Sequence, residues 1–146
     1  MERKVKMKEI ILQGHGAAKG IAEGEALVTQ DAIAFSGSIH LARGIIADPR
    51  SQIKGASVTD KILVFPTGKG STADPYGFYI LKKGGKAPKA VINTEANPTT
   101  VVGAIISNVP MVYQLDRDPI QVIETGDHVR VDGEKGTVTV IKKERL

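Results

Sequence analysis

Short apolar runs punctuated by glycine dominate this chain, and their period changes along it. Ile10-Ile11-Leu12 predicts a first strand, after which Gly14-His15-Gly16 reads as a glycine-rich connection. Apolar and polar residues alternate from Ile21 to Val28, the signature of a half-buried strand. Ala32 to Phe35 predicts another short strand, ended by the turn Ser36-Gly37-Ser38, and Gly44 to Ser57 reads as loop anchored by Ile45, Ile46 and Ile53.

From residue 61 onward apolar strands alternate with helical patterns in the manner of βαβα units. The unbroken run Ile62-Leu63-Val64-Phe65 predicts a strand covered on both faces, and Pro66 ends it because proline cannot donate to a sheet ladder. Asp74-Pro75 predicts a helix start with Asp74 as N-cap and proline at the first helical position. That helix runs through Tyr76, Tyr79, Ile80 and Leu81 and stops at Gly84-Gly85. Ala90-Val91-Ile92 is the next strand. Thr99 to Ile106 predicts a buried helix, broken by Asn108 and Pro110, and Met111-Val112-Tyr113 a third core strand. Val129 and Val131, then Val138 and Val140, alternate around Asp132-Gly133-Glu134-Lys135-Gly136, which predicts a hairpin. The expectation is therefore a single α/β domain over residues 1–146, a β/β/α arrangement in which β segments from both ends frame a central α/β unit.

Composition sharpens this only slightly. A chain of 146 residues with 41% hydrophobic content can bury one core, and with 4% aromatics and no Trp that core is built from Val, Ile, Leu and Ala. There is no Cys, which excludes a disulfide framework and any thiolate-held cluster or zinc site supplied by this chain alone. A metal, if one is involved, comes with a partner. No apolar run approaches the ~20 residues of a bilayer span, and no secretory h-region follows the charged N-terminus, so a cytoplasmic protein is expected.

The net charge of +4 does not point to nucleic acid. Arg3, Lys4, Lys6 and Lys8 crowd one end and Lys142, Lys143 and Arg145 the other, with few aromatics to stack on bases; they read as solvated termini. Lys82, Lys83, Lys86 and Lys89 read as the polar end of a helix and its following loop.

Chemistry concentrates in Lys61 to Thr72, where the buried strand runs into Gly68-Lys69-Gly70-Ser71. Two glycines free the backbone around a cation and a hydroxyl at the carboxyl end of a strand, where open α/β sheets place their ligand crevice. Gly70 separates Lys69 from Ser71, so the phosphate loop G-x-x-x-x-G-K-[ST] is not met, and a dinucleotide fingerprint G-x-G-x-x-G is absent. His15, His40 and His128 are scattered without metal-ligand spacing; only His15, flanked by glycines, invites a functional reading. No G-x-S-x-G elbow surrounds Ser71. What remains is an exposed serine that donates a hydrogen bond, or acts as a base if a partner completes the site.

Several segments taken together carry a resemblance: Gly20 to Val28, Phe35-Ser36-Gly37, Arg43-Gly44-Ile45-Ile46, Lys61 to Thr72, Ala87 to Ile92, and Val102 to Ile106. In order and spacing, from about residue 8 to residue 141, they resemble the swivelling-domain subunits of the aconitase X family, in its archaeal branch. The resemblance implies a swivelling domain and a hydro-lyase of two chains. It implies a larger subunit that carries an iron-sulfur cluster, of four irons and four sulfurs, on its own cysteines. It further implies dehydration of (R)-5-phosphomevalonate to trans-anhydromevalonate 5-phosphate in a modified mevalonate route to isoprenoids. In such enzymes iron assists loss of the hydroxyl while a swivelling-domain serine takes the proton next to the carboxylate, a role that falls on Ser71. Lys69, Gly70 and Thr72 would then contact substrate. Arg43 is equally suited to an anion or to a surface ion pair. Two positions depart from the family pattern: Ala73-Asp74-Pro75-Tyr76 stands where small residues lead into the helix, and Asn97 replaces an acidic residue before Pro98. Two other readings stay open, a related lyase acting on another hydroxy acid such as a hydroxyproline, and a stand-alone anion-binding module.

Overall fold

The computed structural model describes residues 5–145. Arg3 and Lys4 lie outside them. The chain runs through β1 (Val5–Gln13), β2 (His15–Ala18), β3 (Ile21–Val28), β4 (Ile39–His40), β5 (Ile45–Ile46), β6 (Ile62–Phe65), α1 (Asp74–Lys83), β7 (Ala90–Asn93), α2 (Pro98–Ile106), β8 (Met111–Tyr113), α3 (Pro119–Val122), β9 (His128–Asp132) and β10 (Thr137–Arg145).

Eight strands form one mixed sheet in the order β1-β10-β9-β3-β6-β7-β8-β2, and β4 and β5 make a small separate hairpin. The centre, β3-β6-β7-β8, is parallel. The flank β1-β10-β9-β3 is antiparallel. Strands from both ends of the chain thus frame an α/β unit, as the pattern predicts. β3 belongs to both halves, because Ile21 to Glu25 pair with β9 and Ala26 to Val28 pair with β6.

Gly14 alone separates β1 from β2, yet these are the two edges of the sheet. The sheet must therefore curl until its edges meet. The seam is lined with glycine: a Cβ on Gly16 would lie 1.9 Å from the Gly133 carbonyl oxygen, and one on Gly133 would lie 1.9 Å from that of Ala18. Of Gly14-His15-Gly16, expected as a connection, only Gly14 connects; His15 and Gly16 begin an edge strand antiparallel to β8.

The alternation of β6 divides the interior in two. Leu63 and Phe65 enter a core with Val91, Met111, Phe78, Leu81 and Ala104, beneath α1 and α2. Ile62 and Val64 enter a second, aliphatic core with Leu12, Val129, Val131, Val138 and Val140. All four residues of β6 are buried, which is why that run is continuously apolar.

Three further expectations need correction. Ala32 to Phe35 is no strand; Ile33 makes one parallel bridge to Gly68, and the chain then turns as Ser38 N donates to the Ala34 carbonyl at 2.7 Å. Phe35 is drawn inward, stacked on Phe78 at 4.1 Å between centroids, which removes it from any ladder. Asp74 is not the N-cap of α1: Ala73 holds that position with no side-chain cap, and the Asp74 carboxylate turns elsewhere. Finally, α2 is not buried all round, since Val102, Ile105 and Ile106 are about half exposed while Thr100, Gly103 and Ala104 face inward.

Candidate functional site

At the carboxyl end of β6 the chain enters residues 67–72, a loop wedged between the starts of α1 and α2. The wedge is tight on one side. A Cβ on Gly68 would lie 2.1 Å from Thr100 Oγ1, and Gly70 adopts φ +83°, a left-handed backbone that disfavours any other residue. Asn97, the N-cap of α2, accepts from Thr99 N at 3.1 Å and reaches back with its amide to the Gly68 carbonyl at 3.5 Å. Both helices thus present their N-termini, with their partial positive charge, to one loop.

Ser71 is half-buried at the end of this loop, and its hydroxyl lies 3.2 Å from Ser36 Oγ. Ser36 Oγ in turn donates to Asp74 Oδ1 at 2.8 Å. Asp74, fully buried on the first turn of α1, also accepts Ser36 N–H on Oδ1 and Phe35 N–H on Oδ2, each at 3.1 Å. A carboxylate out of water with three donors is well satisfied, and the helix N-terminus adds to this. Gly77 lets this pair of segments approach, because a Cβ there would lie 3.1 Å from the Ser36 nitrogen.

Lys69 points to the other side of the loop, where its ammonium sits 3.1 Å from Asp48 Oδ2. Asp48 is held below the usual carboxylate range, first by the Arg50 N–H it accepts and then by the Lys69 ammonium. Asp31, nearby, is held low by the Gln52 N–H and then by the Thr29 hydroxyl. Lys69, Arg50, Ser51, Ala32 and the two aspartates line a shallow cavity of about 170 Å³. That is below the ~300 Å³ at which a pocket starts to enclose a whole small ligand. The surface holds part of a ligand at most.

A sequence model of the family described as aconitase X swivel domain matches residues 11–140. The chain belongs to the aconitase X swivel-domain family. The phosphomevalonate dehydratase small subunit of Methanococcoides burtonii is 43% identical over 137 residues, covering 94% of this chain and all of that protein. The protein of the same name from Pyrococcus furiosus is 47% identical over 130 residues, 89% of this chain and 95% of that one. The crystal structure of Thermococcus kodakaraensis aconitase X in its holo form superposes with a TM-score of 0.86 at 44% identity, over 91% of this chain and 99% of that one.

Of the residues singled out in the sequence, this swivel domain gathers Ser71, Lys69, Gly70 and Thr72 in one loop, with Lys69, Gly70 and Thr72 exposed. Arg43 is exposed and makes no ion pair among the described residues. His15 is an exposed edge-strand residue whose ring lies 5.6 Å from that of Tyr113, and His128 pairs with Glu23 at 3.0 Å, away from the loop. Ser36, Asp74, Asp48, Arg50 and Asn97 are the neighbours that sequence reasoning did not place. Phe35-Ser36-Gly37 carried part of the resemblance, but nothing local links it to a helix beginning 38 residues later. The chain has no Cys, and among the described residues no three His, Asp or Glu gather in a metal-binding group, so an iron-sulfur cluster finds no ligand set here. No helix among the described residues is long and apolar enough to cross a membrane.

Proposed function

We propose that this swivel domain is the small subunit of a two-chain hydro-lyase that dehydrates (R)-5-phosphomevalonate to trans-anhydromevalonate 5-phosphate, with Ser71 as the proton acceptor. What carries the reading is 42 to 47% identity, along most of the chain, to proteins named phosphomevalonate dehydratase small subunit. The name implies a larger partner. The iron-sulfur cluster belongs with that partner, since its thiolate ligands are missing here. The whole chain, with its core at about residues 8–141, acts as one swivelling unit that closes on the partner's site.

The geometry of the loop supports the role of Ser71. A base must present an oxygen toward the substrate while its negative charge is tolerated. The N-termini of α1 and α2 bring partial positive charge to this loop, which favours negative charge developing on the Ser71 oxygen, and Gly68 and Gly70 let the loop pack against Thr100 and Asn97. Gly70 and Thr72 are exposed beside Ser71 and, with the backbone of Lys69, form the substrate-facing rim. On the wall of the neighbouring cavity Lys69 is already paired with Asp48, and Arg50, which makes no ion pair among the described residues, is the cation open to a phosphate or carboxylate.

The test is anaerobic dehydration of (R)-5-phosphomevalonate by this chain co-expressed with its large subunit. Ser71→Ala is expected to lower kcat by about 10²-fold or more, the usual worth of a positioned base, with the complex intact. Full turnover by the variant would remove Ser71 from the reaction, and none by a cluster-loaded wild type would remove this substrate.

A further inference from the structure

We propose that Ser36 and Asp74 are positioning residues for Ser71, forming a hydroxyl relay that aims the Ser71 oxygen outward and takes its proton inward as the substrate is deprotonated. The inference rests on the reading of Ser71 as the base. It follows from counting protons. Ser36 has one hydroxyl hydrogen, and the 2.8 Å contact directs it to Asp74 Oδ1. In the 3.2 Å contact between the two serines, Ser71 must therefore be the donor and Ser36 the acceptor. The Ser71 hydrogen points into the protein, and its lone pairs face the loop mouth.

The relay is anchored at its inner end. Asp74 accepts in all three of its contacts, and the Phe35 and Ser36 amides hold both its oxygens in place. Those amides belong to a turn fixed by the Phe35–Phe78 stack and by Ala34 N–H donating to Ser38 Oγ at 3.1 Å. Among the described residues no Lys, Arg or His pairs with Asp74. A buried carboxylate without a cation is costly to keep, and the hydroxyl chain from it to the loop gives it a use.

The step balances in atoms and charge. As Ser71 Oγ bonds the substrate proton, its own O–H bond breaks and that proton bonds Ser36 Oγ; the original Ser36 proton passes to Asp74 Oδ1. The electron pair of the substrate C–H bond becomes the new carbon–carbon double bond, and the pair of the C–O bond that breaks leaves with the hydroxide. Return of the Asp74 proton along the same chain neutralises that hydroxide to water. A serine hydroxyl is a weak acid, so the relay lets Ser71 take the substrate proton without a free alkoxide forming first.

The experiment compares Ser36→Ala, Ser36→Thr and Ser71→Ala in the assembled two-chain enzyme, with kcat, KM and thermal midpoint for each. Ser36→Ala leaves both amide contacts to Asp74 intact. It is expected to lower kcat by about 100-fold with KM and midpoint near wild type, while Ser36→Thr, which keeps the hydroxyl, restores most of kcat. Wild-type kcat in Ser36→Ala, with Ser71→Ala inactive, overturns the relay and leaves the base standing. A rise in KM at constant kcat, or equal losses of kcat and midpoint in both Ser36 variants, also overturns it. An active Ser71→Ala enzyme overturns the base itself, and the relay falls with it.

Discussion

Asp48 and Lys69 set the charge on one wall of the loop, and their pairing has a defined pH dependence. The Asp48 carboxyl is held low by the Arg50 amide and then by the Lys69 ammonium. A carboxylate so lowered keeps its charge as pH falls through the ordinary range; the contact is fully present above that range and is lost as pH falls through the lowered value. In an NMR titration the Asp48 carboxyl carbon is expected to have its midpoint below that of an unpaired aspartate. Lys69→Ala should raise this midpoint only part of the way, because the Arg50 amide stays. An unchanged midpoint would show that the ammonium contributes nothing. At this scale Ser71 stands out as a candidate because a cation between two glycines, followed at once by a hydroxyl at a strand end, is a local pattern. Asp74 does not, because Asp-Pro at a helix start reads as a cap until the Phe35 and Ser36 amides are brought onto its carboxylate.

The helices show how a correct element can be oriented in a way its composition hides. α2 was expected to be buried all round because it is almost wholly apolar, but its inner face is made of small residues. A Cβ on Gly103 would lie 2.9 Å from Phe78 Cδ2, so α1 and α2 approach closely only where glycine stands, and the larger Val102, Ile105 and Ile106 are left outside. The start of α2 depends on Asn97, whose side chain accepts both the amide and the hydroxyl of Thr99. Asn97→Ala is expected to cost about 1 kcal/mol in urea denaturation, the usual worth of such a cap. It also removes the amide that reaches the Gly68 carbonyl, so the loop of residues 67–72 should lose amide-exchange protection beyond what the stability change accounts for. Loss of protection in α2 alone would mean that the loop is held by other contacts.

Across the whole molecule the closing of the curled sheet is the least forgiving feature. Gly133 sits against the Ala18 carbonyl with no room for a methyl group, and both atoms belong to backbone that cannot swing away. Gly133→Ala should force the β9–β10 hairpin off β2 and cost about 3 kcal/mol, the upper end for overpacking, measured by chemical denaturation. A loss under about 1 kcal/mol would mean that the seam relaxes without strain. Strand pairing also rearranges charge. The basic ends of the sequence lie side by side on β1 and β10, with Lys8 opposite Lys142. Lys142 is not a free terminal cation, since its ammonium pairs with Asp127 and Glu124.

The sequence by itself determined the elements and singled out the loop on which the candidate site is proposed. Period-two runs, a continuous apolar strand ended by proline, and glycines at helix and hairpin ends act over a few residues, so β3, β6, α1, β7, β8 and the final hairpin could be read directly. The resemblance in ordered segments placed the family and the serine loop. The tertiary structure alone decided which distant groups meet there: Ser36 and Asp74 behind Ser71, Asp48 beside Lys69, and Asn97 under Gly68. It also decided that β1 and β2 close the sheet and that the small face of α2 is the buried one. These depend on how closely two backbones approach, and a one-dimensional pattern of apolar and polar residues carries no measure of that distance.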